Sequence, residues 1–178
     1  LGLDKPRKPN FIAFQKTFAD HANGFEIAAV EEEIHPVEYF TLIRARKFPC
    51  VAKLRTHREL FCAGEPDFWH EAIGHLAPLC FQEVQQFYLE VADYVLSAKS
   101  QQQFDEHLAV AWTLMEYGFL QQNGIDKMFG AALVGSHLAN MRYRHGLIQV
   151  EPASSSAIID SGFYAEASPL PRTADGKL

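Results

Sequence analysis

Apolar residues recur every three or four positions along much of this chain, which is the spacing of one face of an α-helix. Phe11, Phe14 and Phe18 mark the first such stretch, over residues 11–22, and Asn23-Gly24 follows it as a helix stop. The same signals predict further helices over residues 65–78, 81–98, 104–122 and 126–143. The pattern therefore predicts a mostly α protein.

The two ends of the chain lack this helical spacing. Residues 1–10 contain Pro6 and Pro9, and we expect them to form a disordered lead-in. After Gly146 the chain is rich in proline and serine, and the tail 151–178 is expected to form loops and short strands such as AIID and GFYAE. No repeat or second domain is visible, so residues 11–178 are predicted to form a single domain with a few short β-strands.

Composition is that of an ordinary globular protein, with 48% hydrophobic and 21% charged residues. The net charge of −6 argues against a nucleic-acid partner or an anionic membrane surface. No apolar run approaches the ~18 residues of a membrane helix. Cys50, Cys62 and Cys80 form no paired framework, so we expect a cytoplasmic protein. The chain begins with Leu1 rather than Met, as expected for a piece of a longer protein.

A basic segment precedes the first candidate motif. Residues 39–58 contain no aspartate or glutamate but include six cations, namely Arg44, Arg46, Lys47, Lys53, Arg55 and Arg58. A solvated charged face explains most of them. A cation immediately before a metal motif could instead hold a substrate carboxylate.

Two histidines, His70 and His75, flank Glu71 and Gly74 in the sequence HEAIGH. Zinc peptidases place such histidines four residues apart, on one helical face. A five-residue spacing separates them by about 140° on an ideal α-helix, so a straight helix would not direct both to one ion. Gly74 could distort the last turn and bring His75 back. From spacing alone, a shared metal and two unrelated polar histidines both stay open.

The sequence around Glu116 favours a shared metal over two unrelated polar histidines. Glu116 lies in the apolar sequence WTLMEYGF, where a carboxylate is costly unless it is paired or binds a metal. Pairing with an arginine or a helix end is the alternative. Two histidines and one carboxylate would form a facial triad, which leaves coordination positions open on Fe(II) for dioxygen.

Three motifs together resemble the pterin-dependent aromatic amino acid hydroxylases of the phenylalanine 4-hydroxylase type. They are EPDFWHEAIGHLAP, WTLMEYGF and FGAALVGSHLANMRY, in that order. The resemblance runs from residues 23–25 to GFYAEAS in the tail. It implies a mostly α-helical basket with a little β-structure, and it identifies His70, His75 and Glu116 as the iron ligands.

The resemblance also implies roles for residues around the iron. Arg55 matches the arginine that holds the substrate carboxylate, and Pro66, Trp112, Tyr117 and Ser136 fall in or beside the substrate pocket. The pterin would contact two further positions, Tyr39 and Glu71. These residues also have a purely structural alternative. Tyr39 and Trp112 could be core residues, and Arg55 could form a surface ion pair.

Some positions depart from the family pattern. Ala111 replaces a tyrosine near the iron, and the small apolar pterin loop becomes the acidic sequence VEEEIHPVEY. Gly135 stands where a substrate-contacting serine is usual, and Ala139 stands where a glutamate supports the substrate site. The chain is also shorter than a full catalytic core of the family.

The resemblance implies a non-haem Fe(II) monooxygenase that hydroxylates a phenylalanine-like amino acid with dioxygen and tetrahydropterin. The altered loop leaves two alternatives open: a pterin-independent iron oxygenase acting on another aromatic substrate, and a non-catalytic metal-binding relative. The histidine spacing makes a zinc hydrolase a poor fit. We expect a monomer or weak dimer, because residues 151–178 contain no heptad pattern.

Overall fold

Helices dominate the computed structural model, which describes residues 10–56 and 66–161. They account for 57% of the structure, which confirms the predicted mostly α class. The α-helices are α1 (Phe11–His21), α2 (Pro36–Arg44), α3 (Gln82–Leu96), α4 (Gln101–Tyr117), α5 (Ala131–Val134), α6 (His137–Arg144) and α7 (Ser155–Asp160). A π-helix covers His70–Leu76, and a 3₁₀ turn covers Pro78–Cys80.

A two-stranded parallel sheet lies beside the π-helix. Strand β1 (Glu26–Val30) pairs with strand β2 (Lys47–Val51), and α2 connects them. His35 begins α2, where its Nδ1 accepts a hydrogen bond from the backbone N–H of Val37. Strand β2 is almost wholly buried and contacts the π-helix, so it forms a wall behind the histidines.

The core lies between the sheet, α1, α2, α3 and α4. Phe40, Phe48, Phe104 and Met115 are each almost fully buried there. Helices α1 and α3 match their predicted stretches closely, because each has a clear apolar stripe and, for α1, a capping Asn10 side chain. None of the helices in the described ranges is long and apolar enough to cross a bilayer.

The predictions for residues 104–122 and 126–143 were partly wrong. Helix α4 stops at Tyr117, and a β-hairpin follows, with strands β3 (Phe119–Gln122) and β4 (Ile125–Met128). Asn123 and Gly124 both have positive φ, 54° and 75°, as required by the tight turns that suit hairpins. The Asn-Gly pair predicts a helix stop, but between two short strands it forms a hairpin turn.

The tail also differs from its prediction. The AIID segment was expected to be a strand, but it lies in α7, which Ser154 begins by accepting a hydrogen bond from the N–H of Ala157. Helix α7 packs against α4, and the Ser154 cap is the local helix-start signal that the prediction overlooked. The expected strand GFYAE and the lead-in 1–9 lie outside the described residues, as does Cys62.

Candidate metal centre

The π-helix explains how two histidines five residues apart can face the same ion. Each N–H in such a helix bonds to the carbonyl five residues earlier, as the N–H of Ala77 does to the carbonyl of Ala72 at 3.1 Å. Residues five apart therefore project from nearly the same face. The sequence predicts that Gly74 distorts the last turn of an α-helix; instead the whole segment His70–Leu76 is π-helical.

The side chains of His70, His75 and Glu116 converge. The Nε2 atoms of His70 and His75 lie 3.1 Å apart. Glu116 places Oε1 3.1 Å from Nε2 of His75 and Oε2 3.5 Å from Nε2 of His70. All three ligand atoms lie within 4.8 Å of one another, which is close enough for one ion to bind all three.

Helix α5 packs against both elements that carry the candidate ligands. Gly74 of the π-helix packs so closely on α5 that an added Cβ would lie 2.7 Å from Cβ of Ala131. Gly130, just before α5, packs even more closely on the backbone at Glu116, where an added Cβ would collide with the Glu116 carbonyl. The two glycines therefore allow the histidines and the glutamate to approach each other.

Burial and charge set the protonation of the centre. Among the protein groups alone, burial lowers the pKa of His70 to about 4, and the neighbouring His75 acts in the same direction. Burial would also lower the pKa of His75, but the carboxylate of Glu116 outweighs burial and raises it. Burial would raise the pKa of Glu116, and His75 lowers it instead. The lowered pKa values of His70 and Glu116 favour their deprotonated forms, which a metal requires of its ligands.

Two neighbouring side chains, Tyr88 and Phe48, hold the imidazole ring of His75 in place. His75 is only 2% exposed, and its Nδ1 lies 2.7 Å from the hydroxyl of Tyr88 on α3. Phe48 of β2 packs on the same imidazole, with ring centroids 5.1 Å apart. Sequence reasoning missed Tyr88, because its contact depends on how α3 packs against the π-helix and no local motif signals it.

Arg55 is bound to a buried carboxylate rather than to a surface partner. Its Nε and Nη2 donate to Asp67 at 2.7 and 2.6 Å, and its backbone N–H donates to the same carboxylate at 3.0 Å. Asp67 Oδ1 also accepts a hydrogen bond from the backbone N–H of His70 at 3.0 Å. Asp67, which sequence reasoning missed, therefore connects Arg55 to the start of the π-helix.

The two positions assigned to a pterin lie on neighbouring elements. Tyr39 on α2 packs edge-on against Trp112 on α4, with ring centroids 5.0 Å apart, and both rings border the core. Glu71 is 5% exposed, and burial raises its pKa to about 7 against the opposing effect of His75. Its carboxylate accepts a backbone hydrogen bond from Val51, at the end of β2.

The remaining predicted pocket residues occupy separate places. Pro66 lines a cavity of about 320 Å³ together with Val51, Lys53 and the acidic residues Glu31, Glu32 and Glu33. Tyr117, the last residue of α4, is 41% exposed. Ser136 begins α6, where its hydroxyl accepts a hydrogen bond from the N–H of Ala139. Gly135, which precedes Ser136, packs near His70. A Cβ added at Gly135 would lie 3.6 Å from the Cα of His70.

The fold agrees with comparisons to known proteins. The family model for biopterin-dependent aromatic amino acid hydroxylases matches residues 7–153, so the chain belongs to that family. It is 31% identical over 137 residues to a phenylalanine-4-hydroxylase of Vibrio cholerae, covering 76% of this chain and 46% of that protein. It is 28% identical over 120 residues to a tyrosine 3-monooxygenase of Schistosoma mansoni, covering 67% of this chain and 26% of that protein. The chain spans less than half the length of both relatives.

Solved structures agree on the fold. The phenylalanine hydroxylase of Legionella pneumophila superimposes with a TM-score of 0.71 at 24% identity, covering 80% of this chain and 61% of that one. A phenylalanine hydroxylase of Chromobacterium violaceum, solved with iron(III) and 7,8-dihydrobiopterin, also gives a TM-score of 0.71. Its identity is 22%, and the match covers 82% of this chain and 52% of that one. The helical basket implied by the sequence motifs is therefore confirmed.

Proposed function

We propose that this chain forms the iron-binding core of a monooxygenase that hydroxylates an aromatic amino acid of the phenylalanine type. The convergence of His70, His75 and Glu116 within 4.8 Å carries this proposal. Family membership supports it, because the family is defined by biopterin-dependent hydroxylation of aromatic amino acids.

The donor set suits a ferrous ion. Two imidazole nitrogens and one carboxylate form the facial arrangement typical of non-haem iron oxygenases. Catalytic zinc sites use the same donors, so the choice of iron rests on membership of the biopterin-dependent family. With Fe(II) and a reduced pterin bound, two electrons from the pterin would reduce one atom of dioxygen while the other atom enters the aromatic ring. The chain's own contribution is to hold the ligands on two helices that both pack against α5, and to exclude water around His75, which is 2% exposed.

Arg55 is the candidate for the substrate carboxylate. Its guanidinium is held by Asp67, and Asp67 is also hydrogen-bonded to the backbone of the ligand His70. A carboxylate bound to Arg55 would therefore stand at a defined distance from the metal. Trp112, Tyr117, Pro66 and Ser136 are proposed to contact the rest of the amino acid.

A tetrahydropterin is proposed to bind beside Tyr39 and Glu71. Tyr39 would offer a ring for stacking, and the carboxylate of Glu71, next to the ligand His70, would accept hydrogen bonds from the pterin N–H groups. The loop nearby carries Glu31, Glu32 and Glu33, which makes this side of the site acidic. We therefore expect pterin binding that is weaker than is usual in the family.

Metal binding is tested first. Anaerobically purified protein should bind about one Fe(II) per chain, as expected for a single N₂O donor set. His70→Ala, His75→Ala and Glu116→Ala should each abolish stoichiometric binding. Glu106→Gln, on the same helix as Glu116 but paired with Gln102 on the exposed side, is the matched control. Full iron occupancy in one of the alanine variants would exclude that residue as a required ligand.

Activity is tested next, with Fe(II), dioxygen, a tetrahydropterin and phenylalanine, by following the hydroxylated amino acid. Product formation that requires both the pterin and Glu116 would support the whole proposal. Product from another aromatic substrate without pterin would support the pterin-independent oxygenase instead. Stoichiometric iron with no turnover of any aromatic substrate would favour a metal-binding relative that lacks catalysis.

A further inference from the structure

Tyr88 contacts the ligand candidate His75 on the side opposite to the metal centre. His75 directs Nε2 towards His70 and Glu116, and it directs Nδ1 towards the hydroxyl of Tyr88 at 2.7 Å. Tyr88 lies in the middle of α3 and is 2% exposed, so no water competes readily for this hydrogen bond. The hydroxyl and the metal centre thus interact with the two different nitrogens of one imidazole.

The choice of tautomer decides whether His75 can bind a metal. A neutral imidazole carries one proton, and a proton on Nε2 occupies the lone pair that the metal needs. A proton on Nδ1 leaves Nε2 free for the metal. The Nδ1–H group is buried in this core, so it requires a hydrogen-bond acceptor. Among the described residues, the hydroxyl oxygen of Tyr88 is the recorded hydrogen-bond partner of Nδ1.

We propose that Tyr88 is a positioning residue that accepts the Nδ1–H of His75 and thereby holds His75 in its metal-binding tautomer. This inference rests on the proposed function only in taking His75 as a metal ligand. A hydroxyl can also donate, so Tyr88 can hydrogen-bond to Nδ1 when the proton lies on Nε2 and faces Glu116. Rotation of one O–H bond would then let the same residue serve His75 before and after the metal binds.

Ring packing separates this role from simple core filling. Phe48 packs on both rings, at centroid distances of 5.1 Å to His75 and 6.4 Å to Tyr88. Tyr88→Phe retains these aromatic contacts and removes only the hydroxyl. Tyr94→Phe is the matched control, because Tyr94 lies on the same helix and its ring stacks on His107, away from His75.

The test is competition between the protein and a chelator for Fe(II) under argon. Loss of a hydrogen bond behind a ligating histidine typically weakens metal binding about tenfold to a hundredfold. We expect this loss for Tyr88→Phe and no change for Tyr94→Phe. In the Zn²⁺-loaded wild type, proton–nitrogen NMR should show a hydrogen-bonded proton on Nδ1 of His75, and its resonance should move upfield in Tyr88→Phe.

Three outcomes would overturn the proposal. Unchanged Fe(II) affinity in Tyr88→Phe, with a lower free energy of unfolding for the metal-free protein, would make the hydroxyl a structural group only. Absence of a hydrogen-bonded Nδ1 proton in the Zn²⁺-loaded wild type would overturn it without any variant. If wild type binds Fe(II) no better than His75→Ala, the metal site itself fails, and this result is distinct from a failure of Tyr88 alone.

Discussion

Asp67 binds Arg55 through two parallel hydrogen bonds of 2.7 and 2.6 Å, in the bidentate geometry that a lysine cannot reproduce. Both side chains are largely buried, with 3% of the Asp67 side chain and 13% of the Arg55 side chain exposed. The same carboxylate accepts the backbone N–H of His70. One aspartate therefore orients Arg55, the candidate partner of the substrate carboxylate, and also fixes the start of the π-helix.

Replacing Asp67 with asparagine should lower stability and do so in a pH-dependent way. Burial would raise the pKa of Asp67, but hydrogen bonds from Arg55 and His70 outweigh burial and lower it. Because the folded-state pKa is below the unfolded value, the contribution of Asp67 is present at neutral pH and is lost as pH falls through the folded value. Asp67→Asn should reduce the free energy of unfolding by about 1.5–3 kcal/mol at pH 7. Urea denaturation of both proteins from pH 7 to pH 3 should show the difference shrinking in acid; a constant difference would contradict the ion-pair origin.

Arg55→Lys should raise KM for the aromatic amino acid while leaving the iron content unchanged. Lysine retains the charge but loses the planar fork, and one charge-assisted hydrogen bond contributes about 1.5–3 kcal/mol, or tenfold to hundredfold in KM. Steady-state kinetics and metal analysis measure the two effects separately. Arg44→Lys is the control, since Arg44 is exposed in the same basic segment. Equal KM values for the wild type and Arg55→Lys would remove Arg55 from the substrate site.

Gly74→Ala should destabilise the protein although alanine is the better helix former. In an open helix the change would stabilise by about 1 kcal/mol. Here the new Cβ would lie 2.7 Å from Cβ of Ala131, and overpacking of this kind costs about 1–3 kcal/mol. Urea denaturation of the metal-free protein gives the net effect. Adding Ala131→Gly to the variant should restore part of the loss; a double variant no more stable than Gly74→Ala would place the strain elsewhere.

Tyr39→Ala should weaken binding of a reduced pterin by about tenfold at most, since stacking contributes roughly 0.5–1.5 kcal/mol beyond burial. Tyr39→Phe retains the ring and should bind like wild type. Calorimetry of the ferrous protein under argon measures both affinities. Because Tyr39 also packs on Trp112, thermal unfolding must accompany the titration. Equal pterin affinity in wild type and Tyr39→Ala would leave Tyr39 as a core residue.

The sequence pattern was sufficient to predict those helices whose start, stop and apolar stripe lie within the helix itself. Helices α1 and α3 have an uninterrupted apolar stripe, and the motifs around His70 and Glu116 named the three converging side chains before any geometry was known. The hairpin of β3 and β4 was missed because Asn123-Gly124 carries the same residues as a helix stop. The direction of the chain after such a pair depends on the strands that flank it.

Contacts between distant elements could not be predicted in this way. The sequence shows a five-residue spacing between His70 and His75 but does not show that the segment forms a π-helix. Asp67 lies close to His70 in the chain, yet its partner Arg55 is twelve residues away. Tyr88 was one of several aromatic residues on an apolar stripe, and only the packing of α3 against the π-helix selects it.

Helix α5 is four residues long and contains none of the three candidate ligands, yet it contacts both elements that carry them. An ion bound by His70, His75 and Glu116 would connect the π-helix to α4, the two elements that α5 contacts through Gly74 and through the backbone beside Gly130. Metal binding should then increase the protease resistance of residues 130–135 and slow their amide exchange, although this stretch contains none of the candidate ligands. Conversely, sequence changes in this short segment would tune how tightly the ion is held from outside its coordination sphere.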